Sequence, residues 1–172
     1  MRRSCPRAAV VRRATWVASL VPLLGMGVAS ASPTESTPVE ATFLELTLVG
    51  GPALNPDTQG RPSPVVVRIL DLVNSEAFEA SDFDQVFDHP HPALQHDVLG
   101  RQEVVLHPGE ILHFERDVPS PVRSLGVAAG FRDLEHAAWH LTVSIMSGRR
   151  NFLLINVDQD AIRIETIDAK RS

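Results

Sequence analysis

The chain has 172 residues, 44% of them hydrophobic, which is the length of one domain with material for a core. Thirteen prolines, an aromatic share of 5% and no tyrosine speak against a helical bundle. With 21 acidic against 16 basic side chains and a formal charge of −5, the chain is acidic, and past its arginine-bearing first residues it has no basic stripe for nucleic acid or for an anionic membrane surface.

Residues 1–31 read as a targeting segment. Arg2, Arg3, Arg7, Arg12 and Arg13 form a positive n-region, Ala14 to Val28 an apolar run, and Ala29-Ser30-Ala31 a small-x-small cleavage site, so cutting before Ser32 is expected. The apolar run is shorter than a spanning helix needs, and Pro22 interrupts it. Losing five arginines and no acid would take the net charge from −5 to −10. The single cysteine, Cys5, lies in this segment, so the mature chain is expected to have no disulfide, thiolate metal site or cysteine nucleophile. Residues 32–40 are rich in Ser, Thr and Pro and read as a flexible tether, followed by a domain over 41–168.

Thr42 to Val49 alternates with Leu44, Leu46 and Leu48 on one face, the period of a half-buried strand. Gly50-Gly51-Pro52 ends it. From Leu54 to Pro64 the chain cannot be regular, because Pro56, Pro62 and Pro64 lack backbone donors and Asn55, Asp57 and Gly60 are turn formers. Val65 to Leu70 is β-branched and apolar and reads as a buried strand. A stiff polar loop is thus mounted on the edge of a rigid sheet.

Between Val73 and Leu99 the pattern predicts two short helices. Asn74 or Ser75 caps the first. Ser81 with Asp84 resembles a capping box for the second, whose Phe83, Val86 and Phe87 share one face. These phenylalanines are expected in a core beneath an insertion rather than on an open docking patch. Asp88-His89-Pro90-His91-Pro92 and His96-Asp97 contain the ligand types of a zinc site. The alternating prolines, however, impose extended backbone without a recognised metal spacing, and a solvated loop is the plainer expectation.

Beyond Gln102, short strands recur between turn signals. They are Val104–Leu106 into the turn His107-Pro108-Gly109-Glu110, then Ile111–Glu115, Arg123–Phe131, Trp139–Ile145, a segment in which Leu153, Ile155 and Val157 alternate, and Ala161–Ile167 with Ile162 and Ile164 inward. Strands at this spacing predict an all-β, two-sheet β-sandwich of about eight strands with a short helical insertion.

Leu54 to Leu70, Ala77-Phe78, Ser81 to Phe87, Leu106 to Glu110, Leu125 to Asp133 and Trp139 occur in an order and spacing that resembles the TssJ (SciN/VasD) family, the outer-membrane lipoproteins of type VI secretion systems. The resemblance runs from about residue 42 to about residue 165. It implies a transthyretin-like sandwich, no enzymatic activity and no cofactor. It also implies a place in the periplasm at the outer membrane, and binding to the periplasmic C-terminal domain of a TssM-type inner-membrane protein. In that family the loop between the first two strands contributes to the partner contact, which carries over here to Leu54, Asn55, Asp57, Gln59, Gly60 and Arg61. The chain departs from the family in one respect. Members end their signal in a Leu-x-x-Cys lipobox, but no cysteine follows this apolar run, and Cys5 has no apolar segment before it. A periplasmic form without a direct lipid anchor is the expectation.

No G-x-S-x-G elbow and no phosphate-binding glycine loop occurs, and Ser124 has nothing around it that marks a nucleophile. Arg116, Asp117, Arg132 and Asp133 read as surface charges or ion pairs. The alternative to an assembly factor is a periplasmic ligand- or metal-binding sandwich using His89, His91 and His96.

Overall fold

A computed structural model of the chain describes residues 41–166; the expected leader and tether lie outside the described residues. Eight strands form two four-stranded sheets. The first has the order β4-β1-β7-β8 and the second β3-β2-β5-β6, where β1 is Thr42–Gly50, β2 Val65–Leu72, β3 Val98–Leu106, β4 Ile111–Val118, β5 Ser124–Ala129, β6 His140–Ser144, β7 Arg150–Val157 and β8 Ile162–Thr166. Neighbours run antiparallel except β1 and β7, which are parallel. The predicted sandwich and strand number are found.

The leucine alternation in β1 does what its period requires. Leu44, Leu46 and Leu48 are fully buried, while Phe43, Glu45 and Thr47 face out. They pack between the sheets with Val65, Val67 and Ile69 of β2, Val127 of β5 and Ile155 of β7. Asp71 also points into this layer, where Arg116 of β4 reaches across and donates from Nη1 at 2.8 Å. Arg116, read from the sequence as a surface charge or one half of an ion pair, is thus in an ion pair that links the two sheets.

β2 and β5 are apolar on both faces because a helical insertion covers the outside of their sheet. Three helices make it up, α1 (Glu76–Glu79), α2 (Phe83–Phe87) and α3 (Pro92–Asp97). Phe78, Val86 and Leu94 form a second core with Leu70, Leu72 and Ala128. Phe83 and Phe87 are half-buried and stack on each other at 4.4 Å, with Phe83 edge-on to Trp139. Arg68, buried on the same face, donates to the carbonyls of Val86 (2.7 Å) and Phe87 (2.8 Å), pairs with Glu103 and lies 4.5 Å over the Phe87 ring. One guanidinium therefore closes the open end of α2 onto the sheet.

The local detail corrects the sequence expectation in three places. The capping box of α2 is Asp82 with Gln85, whose side chains accept from each other's backbone N–H at 2.9 and 3.1 Å. Ser81 is buried and its hydroxyl donates back to Ala77 O at 2.6 Å, so it is unavailable as a cap. The proline-rich stretch starts a third helix rather than staying extended. Pro92 takes the first helical position, where its missing N–H costs nothing, and His91 Nδ1 accepts from Ala93 N. β3 begins at Val98, several residues before the expected start.

His140 sits beneath the insertion, 5.6 Å edge-on from Phe78 and 4.1 Å from Trp139. Burial pushes its pKa below the ordinary value, with Glu79 pulling weakly the other way. The folded chain then binds this proton less readily than the unfolded chain. The effect is absent above the ordinary imidazole value of about 6.5, and stability falls as the pH drops through it, until the folded-state pKa is passed. His89 and His136, raised by Asp84 and Asp133, act in the opposite sense from exposed positions. Urea midpoints at pH 7.5 and 5.5 should show acid destabilisation that shrinks in His140→Gln; an identical slope in both proteins would clear His140 of the effect.

The strand registers place four connections at one end of the sandwich. Gly50 lies beside Val157, and Val65 lies opposite Leu106. The β1–β2, β3–β4, β5–β6 and β7–β8 loops therefore emerge together.

Candidate functional site

The β1–β2 loop is a closed structure with a buried neck and an exposed tip. Leu54 is fully buried in the main core, and its carbonyl accepts from Ser63 N at 2.9 Å, joining the two sides of the neck. Asn55 is also buried. Its Nδ2 donates to Pro64 O (2.8 Å) and its Oδ1 accepts from Arg132 N (2.9 Å), so one amide ties this loop to the β5–β6 loop.

Asp57 organises the tip. Its Oδ1 accepts from Gln59 N at 2.8 Å and Arg61 N at 2.9 Å, and its Oδ2 from Arg61 Nε at 2.8 Å and Nη2 at 2.7 Å. The backbone N–H of Arg61, then its guanidinium, hold the carboxyl below the usual carboxylate range. Asp57 O accepts from Gly60 N, and Gly60 adopts φ 76°, a conformation that glycine enters without a Cβ penalty. Proline at 62 and 64 removes two backbone donors from the returning segment, and the Ser63 N between them is taken by Leu54 O. Thr58, Gln59, Gly60 and Arg61 remain exposed at the apex.

The six residues singled out in the sequence therefore divide. Leu54 and Asn55 are struts, Asp57 is the knot, and Gln59, Gly60 and Arg61 are presented outward. Beside the tip, Pro56, Asp57, Thr58, Arg132 and Asp133 line an open cleft of about 500 Å³. A smaller recess next to it is bounded by Phe131, Gln159 and Asp160. Arg132 is a site residue that sequence reasoning missed. The sequence offers it as a surface charge or ion pair and as part of the Leu125–Asp133 stretch, and nothing local shows that Asn55, 77 positions away, holds its backbone.

The three histidines of the alternative reading do not converge. His89 pairs with Asp84 at 3.0 Å, His91 caps α3, and His96 stands 3.5 Å from Asp97. Among the described residues the three-member His/carboxylate group is a different one, Glu45, His113 and Glu115 on the outer face of β1 and β4.

The type VI secretion lipoprotein family described as VasD, EvfM, TssJ and VC_A0113 matches residues 42–160. The chain belongs to this TssJ family. The sequence resemblance is thereby borne out, and similar structures agree. TssJ1, the T6SS lipoprotein of Pseudomonas aeruginosa, is 30% identical with a TM-score of 0.72, covering 75% of this chain and 98% of that one. A structure described as the T6SS protein TssM C-terminal domain from EAEC matches at 26% identity and a TM-score of 0.61, over 71% of this chain and 99% of that one. Serratia marcescens Lip, a membrane-bound component of the type VI secretion system, shares the fold at 18% identity and a TM-score of 0.67, over 74% and 99%. No curated protein matches. The matched region, residues 42–160, includes the β1–β2 loop and the cleft beside it.

Proposed function

We propose that the protein is a non-enzymatic structural component of a type VI secretion envelope complex. In this reading it binds the periplasmic C-terminal domain of a TssM-type inner-membrane protein through the β1–β2 loop and links that domain to the outer membrane. Residues 1–31 direct export, residues 32–40 tether the sandwich, and the domain works in the periplasm. The observation that carries the reading is the Asp57 knot. It holds the tip of the loop in one conformation before any partner arrives, which lowers the entropy cost of association. The similarity to a structure described as a TssM C-terminal domain supports the choice of partner.

The test is binding of the purified sandwich domain to the periplasmic domain of a TssM-type protein from the same organism. A double variant, Gln59→Ala with Arg61→Glu, should lose binding by about tenfold or more, since central interface residues carry most of the affinity. Its melting temperature should fall only slightly, because the Arg61–Asp57 pair that it breaks is solvent-exposed on the arginine side and the backbone donors to Asp57 remain. Full affinity in the double variant would move the contact off the loop.

A further inference from the structure

Asn55 has a φ of 44° and is the one non-glycine residue with positive φ among the described residues. A left-handed conformation is disfavoured for residues other than glycine, less so for asparagine, and persists where its surroundings over-determine it. Here the surroundings are two hydrogen bonds that bridge separate loops, to Pro64 O and from Arg132 N. The strain is thus spent on fixing the backbone of Arg132 relative to the β1–β2 tip.

The electrostatics of the cleft single out the Arg132 side chain. Of the two carboxylates on its wall, Asp57 is satisfied by four donors from Gln59 and Arg61. Asp133 is engaged by His136 Nδ1 at 2.9 and 3.0 Å. The Arg132 guanidinium, exposed at the cleft mouth, makes no hydrogen bond or ion pair among the described residues. The Arg132 charge also acts on Asp57, but neither acid bonds to the planar fork, which stays open at the cleft mouth to a bidentate carboxylate.

We infer that Arg132 is a second anchor for the partner, receiving a carboxylate side chain of the partner in the cleft between Pro56–Thr58 and Arg132. The inference rests on the proposed function for the identity of the partner, and it adds the β5–β6 loop to the contact. Arginine is also among the residue types enriched at the positions that dominate interface affinity.

Calorimetry with the TssM-type periplasmic domain at low and at physiological salt tests it. Arg132→Gln should weaken binding about tenfold, Arg132→Lys should recover only part of that because the fork is lost, and Arg132→Glu should be weaker than either. The melting temperature should not move in any of the three. If the unchanged chain binds and Arg132→Gln stays within about twofold of it, the inference is overturned and the loop contact stands. Tighter binding by Arg132→Glu would mean that a basic group occupies the cleft, which also overturns it. No binding by the unchanged chain would remove the partner reading, and this inference with it.

Discussion

Phe78→Ala should lower the unfolding free energy by about 3–5 kcal/mol, the range for truncating a fully buried phenylalanine. The ring has no exposed surface and packs among Leu70, Leu72, Val86, Leu94 and Ala128. It is the one aromatic side chain of the insertion that is wholly inside. β5 is shaped around it, since a Cβ placed on Gly126 would lie 2.9 Å from the ring edge, closer than side chains pack. The cost should fall on the helices more than on the sandwich. Phe78 belongs to the outer core, whereas Leu44, Leu46, Leu48 and Ile155 belong to the inner one. Hydrogen exchange should therefore show amides of residues 76–97 losing protection while those of β1 and β7 keep most of theirs. Equal loss in both regions would mean that insertion and sandwich unfold as one unit. Gly126→Ala should produce a milder version of the same pattern, because the added methyl pushes on the ring without emptying its site.

What was legible in the sequence follows from the range of the interactions involved. The leucine alternation of β1 and the apolar run of β2 are local signals, and both strands appear where those signals place them. The prolines and turn formers between residues 54 and 64 likewise announce an irregular, stiff loop. The capping box of α2 was misplaced by one residue because Ser81 and Asp82 are both competent caps, and only the burial of Ser81 against Ala77 decides between them. α3 was missed because prolines at 90 and 92 suggest extended chain, although Pro92 at a first helical position is compatible with a helix. The division of the loop into struts and tip was mostly out of reach. Leu54 is apolar enough to suggest burial, but Asn55 looks as exposed as Gln59 in the sequence, and its burial comes from a partner loop that it meets only in the folded chain. The same distance hides Arg116, which reaches Asp71 across 45 positions.

Asn55→Ala should be the most informative change at the candidate site, because it touches nothing outside the protein and should still weaken partner binding. Two losses combine. Arg132 N and Pro64 O are left without their partner, and alanine is held at a φ it disfavours, for a total of about 2–4 kcal/mol. With the bridge gone, the β1–β2 tip and Arg132 no longer hold a fixed spacing, and the ordering that the fold now supplies must be supplied on binding. Affinity for the TssM-type domain should drop about tenfold, and the entropy of binding should become less favourable. Asn55→Gly separates the two causes, since it relieves the backbone but leaves both hydrogen bonds unmade; it should regain some stability and little affinity. Asn55→Asp keeps an acceptor for Arg132 N but sets a carboxylate against Pro64 O, and should be no better than alanine. Denaturant unfolding and calorimetry on the three variants decide the matter together. Lost stability with unchanged affinity would show that the loop binds without being held rigid, whereas unchanged stability would show that Asn55 is not the strut its two hydrogen bonds make it.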